Sequence, residues 1–474
     1  MISFCFREFN IQHLISLKHK LLFIHYIYYI LCIIFISFYA FYELFRIIFV
    51  IGETMYKTRL IENIIRDKLS YTGAIQIEGP KWCGKSTTAS LFAQTIVKLQ
   101  DPIVFHRYEV YASTSKDELL NGKHPILFDE WQKIPDIWDF IRLDVDDHPG
   151  EFGRFILTGS AKPLENDQRH TGTGRITRLK MRTMSLYESG ESSGDVSLEQ
   201  CFNDPDYYPR GESRITIADQ VDLVCKGGWP GIIHVPLNTS LKIIKDYYEG
   251  LLTSDISDID GIKRNPTLAR KVLKSYARAI STLTDYQTML ADIAISDGLI
   301  DQRTLTSYLS ALEKLFIIEP VEAWTPKLRS ASKIRTKSKK QFVDPSIAVA
   351  ALGATRQELL EDLETFGFFF ESLVTRDLRI YSESLDGSIF HYRDNTGLKI
   401  DNIIKLNDGR WAAVEIKLGS NKIDEAAAHL IKLAQRVDSD QMLKPSFLMV
   451  VYGGQHAYKR PDGIYVVPIG CLKP

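Results

Sequence analysis

The sequence predicts an α/β protein that opens on a parallel sheet, continues through a mainly helical region and ends in a second α/β region. Three observations predict this order. Short apolar strands alternate with helical stretches between residues 74 and 160, helical periodicity dominates residues 241–320, and two strands joined by a tight turn lie within residues 398–417. Strands that alternate with helices form parallel sheets with helices on both faces. We therefore expect domains at residues 55–205, 206–340 and 341–474, after an N-terminal extension of residues 1–54.

Composition sets few limits on function. The 474 residues are enough for two or three domains with separate cores. Lysine and arginine total 58 against 59 acidic residues, so the overall charge gives no reason to expect binding to nucleic acid or to a membrane. The six cysteines, at positions 5, 32, 83, 201, 225 and 471, show neither a C-x-x-C spacing nor a paired arrangement. This pattern favours a protein of the reducing cytoplasm.

The N-terminal extension allows two interpretations. Residues Leu21–Tyr42 contain no Lys, Arg, Asp or Glu and are long enough for a membrane-spanning helix. Alternatively, translation starts at Met55, and residues 1–54 are not part of the protein. We favour the second interpretation, because a chain that starts at Met55 opens on an amphipathic helix and reaches the first strand within about 20 residues.

A glycine-rich loop follows the first strand, Ala74–Glu78, and precedes a helix predicted for Thr87–Leu99. The loop matches G-x-x-x-x-G-K-[ST], in which backbone N–H groups enclose phosphate, Lys85 reaches the terminal phosphates and the Ser86 hydroxyl binds magnesium. An ordinary glycine-containing turn is the alternative, but the flanking strand and helix favour a P-loop NTPase sheet that binds ATP with Mg²⁺. The predicted nucleotide-binding residues are Gly79, Pro80, Lys81, Trp82, Cys83, Gly84, Lys85, Ser86 and Thr87.

The next strands carry candidate catalytic groups. We expect a strand at Pro102–His106 and a polar helix near Lys116–Leu120. The apolar strand that follows ends in Asp129 and Glu130, where the aspartate can hold the magnesium and the glutamate can polarise the attacking water. Two acids in contact with solvent at the end of a strand are the alternative. The position after a complete phosphate loop favours catalysis.

A further strand, Arg154–Ser160, places Thr158 or Ser160 near the γ-phosphate or the attacking water. Downstream, Arg175 lies on a glycine-flanked loop. An arginine finger presented to a neighbouring subunit has this pattern, and so does a turn in contact with solvent. Both interpretations of Arg175 stay open from the sequence.

The middle region has the pattern of a winged helix. Residues Ser189–Asp206 are predicted to form a surface loop, and Gly227–Gly231 a rigid turn that packs Trp229. Three helices and a short β-extension follow; the helices are predicted at Leu268–Leu283, Gln287–Ile295 and Arg303–Leu315. Residues 327–340 then contain seven lysines and arginines and no acid. This basic run is either a phosphate-contacting wing or a solvated loop, and the adjacent winged-helix pattern favours nucleic acid.

A second candidate site lies in the C-terminal region. A helix predicted for Phe366–Ile380 bears Glu371, and a hairpin with its turn at Asn407–Gly409 bears Asp401, Glu415 and Lys417. Asp401 and Glu415 can converge on one Mg²⁺ or Mn²⁺ ion, with Glu371 completing its shell. Lys417, on the same face as Glu415, can position or deprotonate a water for attack on a phosphodiester. A hairpin with charged residues facing water is the alternative, but a charge within an apolar strand is costly unless it has a partner.

Taken together, these motifs resemble those of a known protein family. From Met55 onward the chain resembles a widespread bacterial and archaeal family of AAA-type ATPases, in which a P-loop domain is fused to a C-terminal domain of unknown function with a restriction-endonuclease-like core. The resembling features are Glu78–Ser86, Phe128–Glu130, Leu157–Ser160, Gly227–Pro230, Phe342–Pro345, and Asp401 with Glu415–Lys417. The resemblance implies ATP binding, ATP hydrolysis and a PD-(D/E)XK-type fold. The proline of the nuclease motif is replaced here by Ile400, which weakens the expectation of cleavage.

Two functions follow from the sequence. The first is an ATP-dependent enzyme that acts on nucleic acid, with DNA and a second copy of the chain as possible partners. The second is a nucleotide-dependent switch or scaffold whose nuclease-like domain is inactive and binds DNA or protein. A small-molecule kinase is less consistent with the sequence, because it explains neither the Asp-Glu pair nor the long C-terminal half.

Overall fold

The computed structural model describes residues 56–159, 171–297, 300–326, 337–437 and 443–474. The N-terminal extension, with the predicted membrane segment Leu21–Tyr42, lies outside these ranges. Within them, no helix combines the length and the apolar character needed to cross a membrane. Residues Thr58–Pro474 form one compact unit, and the domain division at residues 205 and 340 stays a prediction.

A five-stranded parallel sheet organises the first part of this unit. Its strands are β1 (Ala74–Glu78), β2 (Thr95–Lys98), β3 (Ile126–Asp129), β4 (Phe155–Gly159) and β5 (Ile176–Lys180), in the spatial order β2-β3-β4-β1-β5. The accompanying helices are α1 (Ile61–Leu69), α2 (Lys85–Ser90), α3 (Pro102–Thr114), α4 (Lys116–Leu119) and α5 (Ile137–Asp147). Strands β1, β3 and β4 are buried along their whole length, and their apolar side chains belong to two separate clusters. The predicted parallel α/β sheet is confirmed.

Two predicted elements in this part are wrong. The helix expected at Thr87–Leu99 ends at Ser90, and β2 occupies Thr95–Lys98. The β-branched run Thr95-Ile96-Val97 favours a strand, and it pairs with β3 at the sheet edge. The strand expected at Pro102–His106 is instead the start of α3. Asp101 caps this helix by accepting hydrogen bonds from the N–H groups of Ile103 and Val104, and proline is well tolerated at the first helical position.

The middle of the chain is helical, as predicted. Its helices are α6 (Leu186–Ser189), α7 (Leu198–Asn203), α8 (Ile217–Lys226), α9 (Leu237–Gly250), α10 (Ile256–Asp258), α11 (Pro266–Arg278), α12 (Tyr286–Asp297) and α13 (Gln302–Lys314). The last three lie within a few residues of the three predicted helices. After α13, antiparallel bridges join Ile318 to Phe342 and Val321 to Lys339. Whether these elements form a winged helix stays a prediction.

The C-terminal part contains the second sheet. The remaining strands are β6 (Val196–Ser197), β7 (Gly211–Glu212), β8 (Gly387–Arg393), β9 (Lys399–Leu406), β10 (Trp411–Lys417), β11 (Leu448–Tyr452), β12 (His456–Lys459), β13 (Tyr465–Pro468) and β14 (Leu472–Lys473). The remaining helices are α14 (Pro345–Leu352), α15 (Arg356–Glu361), α16 (Leu363–Ser384) and α17 (Ile423–Arg436). The sheet has the order β7-β12-β13-β11-β10-β9-β8, and β9 and β10 form the predicted antiparallel hairpin.

The prediction of a surface loop at Ser189–Asp206 is wrong. Helix α7 lies within it and buries Leu198, Cys201 and Phe202, while β6 pairs with the C-terminal strand β14. Strand β7 extends the edge of the second sheet beside β12. The segment looks polar because many of its residues form helix caps and turns. Its few apolar side chains pack into the hydrophobic core.

Two candidate functional sites

The glycine-rich loop connects the carboxyl end of β1 to α2. Gly79 leaves no room for a side chain, because a Cβ there would lie 2.0 Å from the backbone oxygen of Met181. Gly84 adopts a left-handed conformation, with φ +100°, directly before the helix. The two glycines of the motif are therefore required by a close backbone approach and by a positive φ. The role of this loop in nucleotide binding stays a prediction.

Lys85 lies across this loop. Its side chain is buried, and its ammonium donates hydrogen bonds to the backbone oxygens of Gly79 at 2.9 Å and Pro80 at 2.8 Å. The cation is thus held inside the loop, within reach of any anion that the loop encloses.

Asp129, at the end of β3, accepts two short hydrogen bonds. The Ser86 hydroxyl donates at 2.6 Å and the Thr158 hydroxyl donates at 2.6 Å, both to the same carboxylate oxygen. The parallel register of β3 and β4 places Asp129 beside Thr158. A serine hydroxyl next to a carboxylate fits Mg²⁺, which prefers hard oxygen ligands. Ser160, the alternative to Thr158, lies outside the described residues.

Glu130 follows directly and has a left-handed backbone conformation, with φ 58°. Such a conformation is uncommon for a residue other than glycine and recurs at functional sites. The Gln132 side-chain amide donates a hydrogen bond to the Glu130 carboxylate. Gln132, which no sequence motif marks, thereby orients the predicted catalytic glutamate.

Arg175 is not brought to the phosphate loop. It precedes β5, and its backbone oxygen accepts a hydrogen bond from Ala74 N at the start of β1. The phosphate loop follows the other end of β1, about 16 Å away for a five-residue strand. The guanidinium pairs with Asp146 at 2.8 Å. Arg175 therefore cannot act on nucleotide in its own loop, and action on a neighbouring subunit stays a prediction.

Several contacts to the loop come from residues that the sequence did not indicate. Arg59 is buried and donates to the Cys83 backbone oxygen at 2.9 Å, while its Nε pairs with Glu188 at 3.0 Å. No local pattern marks this arginine, because its partners are remote in sequence.

An aromatic cluster covers the outer side of the loop. The Trp82 ring stacks near Trp229 and Tyr247, with centroids 6.4 and 6.5 Å apart. The Lys81 ammonium pairs with Asp255 at 2.7 Å. The turn that the sequence predicted to pack Trp229 thus packs it against the phosphate loop.

The second site forms where α16, β9 and β10 meet. In the antiparallel register Asn402 pairs with Val414, so Asp401 and Glu415 follow on adjacent strands. The Lys417 ammonium lies 2.6 Å from Glu415 Oε2 and 3.3 Å from Asp401 Oδ2. Asp401 Oδ2 also accepts a hydrogen bond from Ile416 N at 2.9 Å. The hairpin therefore brings the predicted residues together.

Two further residues complete this cluster. The Lys339 ammonium lies 2.7 Å from Glu371 Oε1 and 3.5 Å from Asp401 Oδ1, and it donates to the Asp401 backbone oxygen at 2.9 Å. His429 Nδ1 lies 3.5 Å from Glu415 Oε1. Glu371 is thus joined to the hairpin through a lysine. The sequence indicated Lys339 only as part of the basic run.

The structure corrects the interpretation of that run where it is described. Lys339 is buried among carboxylates, and the buried Lys340 ammonium lies 5.0 Å from the Tyr286 ring centroid. Lys337 is exposed and pairs with Asp285. Residues 327–336 lie outside the described ranges. The prediction of a phosphate-contacting wing is therefore wrong for Lys339 and Lys340, because both lysines are buried.

The charges of the second site are strongly coupled. Burial opposes ionisation of Asp401, but the ammonium groups of Lys417 and Lys339 outweigh it and hold the pKa of Asp401 below its ordinary value. Burial and the neighbouring Asp401 raise the pKa of Glu415 well above its ordinary value. Burial also raises the pKa of Glu371 to about 7, against the opposing effect of Lys339. Across the described ranges, no group of three or more His, Cys, Asp or Glu side chains is arranged to hold a metal ion.

An ionic network that includes the buried Arg182 and Arg379 joins the two halves of the chain. Glu319 lies 2.7 Å from Arg182, 2.9 Å from Lys180 and 3.1 Å from Arg379. Arg182 also pairs with Glu383 at 2.5 Å. Lys180 is the last residue of β5 and Arg182 follows two residues later, whereas Arg379 and Glu383 belong to α16, the helix that bears Glu371. The first sheet is thus connected to the second site through charged contacts.

Comparison with protein families identifies the first part of the chain. Residues 71–190 match the model of the AAA domain. Residues 217–358 and 366–472 match two families described as domains of unknown function, DUF8612 and DUF4143. The chain therefore carries an AAA-type P-loop ATPase domain, and the expected fusion to a C-terminal domain of unknown function is confirmed. The restriction-endonuclease-like core of that domain stays a prediction.

Two solved structures show a low similarity. A Walker-type ATPase of Pyrococcus abyssi is 13% identical over 61% of this chain and 94% of its own, with a TM-score of 0.38. A signal transduction ATPase with a tetratricopeptide repeat sensor from Pyrococcus horikoshii is 14% identical over 70% of this chain and 49% of its own, with a TM-score of 0.19. No curated protein matches the chain.

Proposed function

We propose that this protein hydrolyses ATP with Mg²⁺ and uses the reaction to act on nucleic acid through its C-terminal region. The observation that carries the proposal is the hydrogen-bonded set of Ser86, Asp129 and Thr158 beneath a complete phosphate loop. These three side chains come from α2, β3 and β4, and they meet at the carboxyl edge of the sheet, where open α/β sheets bind ligands.

The roles in hydrolysis follow from the contacts. Lys85 would transfer its hydrogen bonds from the loop carbonyls to the terminal phosphates, and Ser86 and Asp129 would hold the magnesium. Bound Mg²⁺ neutralises charge on the transferring phosphoryl group. Glu130, oriented by Gln132, would accept the proton of the attacking water, and Thr158 keeps Asp129 in position.

We expect Glu130→Gln to retain ATP binding and to lower the turnover number by about 10²-fold or more, because the amide cannot accept the proton. Steady-state phosphate release and fluorescent-nucleotide binding would measure the two effects. Glu151→Gln is the matched control, since Glu151 is exposed and lies at the opposite edge of the sheet. Equal turnover in both variants would contradict the role of Glu130.

Two features of the middle region support a nucleic-acid partner. Helix α12 ends at Asp297 and α13 starts at Gln302, a spacing typical of a helix–turn–helix, whose second helix enters the major groove. At the start of α13 the side chains of Gln302, Arg303 and Thr306 are exposed. They line an open depression of about 530 Å³, together with Ser307 and Ser310. Side chains of these types form hydrogen bonds with base edges and phosphates.

The second site supplies the proposed chemistry on nucleic acid. Asp401 and Glu415 would hold a divalent ion, which polarises a phosphodiester and activates a water, and Lys417 would position that water. Glu371, on α16, pairs with Lys339 at 2.7 Å and would join these two carboxylates only after that ammonium had left. The ionic network around Glu319 supports coupling, because it connects the end of β5 to this same helix.

Cleavage assays test the proposal. We expect the full chain to cut supercoiled or linear DNA with Mg²⁺ or Mn²⁺, to respond to ATP, and to lose the activity in Lys417→Ala while ATP hydrolysis persists. Lys422→Ala is the control, because Lys422 is an exposed lysine close in sequence. Metal-independent cutting, or cutting that persists in Lys417→Ala, would contradict the assignment.

A switch or scaffold is the second candidate. It is favoured by the position of Lys339, whose ammonium lies between Glu371 and Asp401. ATP hydrolysis without DNA cleavage by the same preparation would support this candidate and direct the search to binding partners.

A further inference from the structure

Lys339 is fixed in place by its backbone. Its N–H donates to the Val321 oxygen at 2.8 Å, and its own oxygen accepts from Val321 N at 2.9 Å. The side chain is only 8% exposed and extends into the acidic cluster of Glu371, Asp401 and Glu415. A lysine that is held on both sides of its backbone and buried to this extent has a defined position.

Its ammonium occupies the space between two of the proposed metal ligands. The nearest oxygens are Glu371 Oε1 at 2.7 Å, the Asp401 backbone oxygen at 2.9 Å and Asp401 Oδ1 at 3.5 Å. Carboxylate and backbone oxygens are also the ligands that Mg²⁺ or Mn²⁺ would use. An ammonium and a divalent ion cannot share this space, because both are cations and both require contact with the same oxygens.

We infer that Lys339 acts as an internal cation of the acidic cluster, and that a divalent metal binds between Glu371 and Asp401 only when this ammonium is displaced. The inference rests on the proposed function, which assigns metal binding to this cluster. Lys339 and Lys417 together provide two positive charges for three carboxyl groups, so the cluster is largely compensated without a metal. Lys339 is therefore a positioning residue that sets the metal affinity of the site.

Metal binding by the full chain tests the inference. Mn²⁺ affinity at the second site would be measured by electron paramagnetic resonance, with the nucleotide site blocked by Ser86→Ala, together with the thermal shift that Mn²⁺ produces. We expect Lys339→Gln to bind Mn²⁺ at least tenfold more tightly than the parent and to gain a larger thermal shift. Lys339→Arg, which keeps the charge, should resemble the parent. Lys337→Gln is the matched control, because Lys337 is exposed and lies two residues away.

The outcomes distinguish the inference about Lys339 from the proposed metal site in the acidic cluster. Tighter binding only in Lys339→Gln supports the inference, as does a variant that folds with Mn²⁺ and unfolds on chelation. Equally tight binding in the parent and in Lys339→Gln overturns the inference and leaves the proposed nuclease-like site intact. Binding in neither protein overturns the inference and, with it, the metal assignment of the cluster. A variant that is unfolded with and without Mn²⁺ also overturns the inference, because a metal then cannot replace the ammonium.

Discussion

Replacing Lys85 with alanine is expected to lower the rate of ATP hydrolysis by about 10²–10³-fold, the usual cost of removing one group that stabilises charge in the transition state. The Lys85 ammonium is the cation held inside the phosphate loop, bonded to the backbone oxygens of Gly79 and Pro80. Its loss removes positive charge from the position where the terminal phosphates would lie. Phosphate release under saturating ATP, compared with fluorescent-nucleotide affinity, separates a loss of turnover from a loss of binding.

Lys123→Ala is the matched control for this substitution. Lys123 is exposed and precedes β3, so it lies at the edge of the sheet opposite the loop. Its replacement removes the same charge from the AAA domain without touching the nucleotide site. Unchanged hydrolysis in Lys85→Ala would overturn the assignment of the loop as the hydrolytic site.

Replacing Asp344 with asparagine is expected to lower the free energy of unfolding by about 3–5 kcal/mol, because it leaves the buried Arg376 short of a partner. Asp344 is fully buried and lies 3.1 Å from Arg376 Nη1. Its carboxylate also accepts hydrogen bonds from the Thr183 hydroxyl, from Gly228 N and from the N–H and hydroxyl of Ser346. One carboxylate therefore connects four parts of the chain. These are the segment after β5 that contains Thr183, the turn at Gly227–Gly231, α14 and α16. Chemical denaturation followed by circular dichroism would measure the change.

The control for Asp344 is Asp408→Asn. Asp408 lies on the hairpin turn and pairs with Arg410 at 2.7 Å, and its side chain is half exposed. An exposed pair of this kind contributes little to stability, because solvent screens the two charges. Arg376 has a second carboxylate partner, Asp377, which lies 2.8 Å from its Nη2 atom. A loss of the same small size in Asp344→Asn would show that Asp377 alone satisfies Arg376.

The stability that Asp344 provides should also depend on pH. Burial opposes its ionisation, but the charge of Arg376 and the hydrogen bonds from Gly228 and Ser346 together outweigh burial and hold the pKa of Asp344 below its ordinary value of 3.8. The stabilisation is therefore complete above the unfolded pKa and is lost as the pH falls through the folded pKa. The difference in stability between the parent and Asp344→Asn should be constant near neutral pH and should shrink only in acid.

Local patterns were sufficient to predict several features. The phosphate loop was predicted because its chemistry is contained in eight consecutive residues, and both glycines have the backbone roles that the motif requires. The β9–β10 hairpin was predicted from its turn and its apolar strands, and it brings Asp401 and Glu415 together as expected. Helix and strand were confused at Thr95–Lys98 and Pro102–His106, because short apolar runs fit both patterns and the caps and the sheet partner decide between them.

By itself the sequence determined the AAA domain, the parallel sheet and the residues available at each site. The tertiary structure alone decided which charged residues meet. It placed Arg175 at the far edge of the sheet and joined Arg59 to Glu188. It also inserted Lys339 between Glu371 and Asp401, although the basic run suggested a lysine facing phosphate. The reason is physical: a charge pair forms between groups far apart in the chain, and only packing shows whether a lysine is solvated or buried beside a carboxylate.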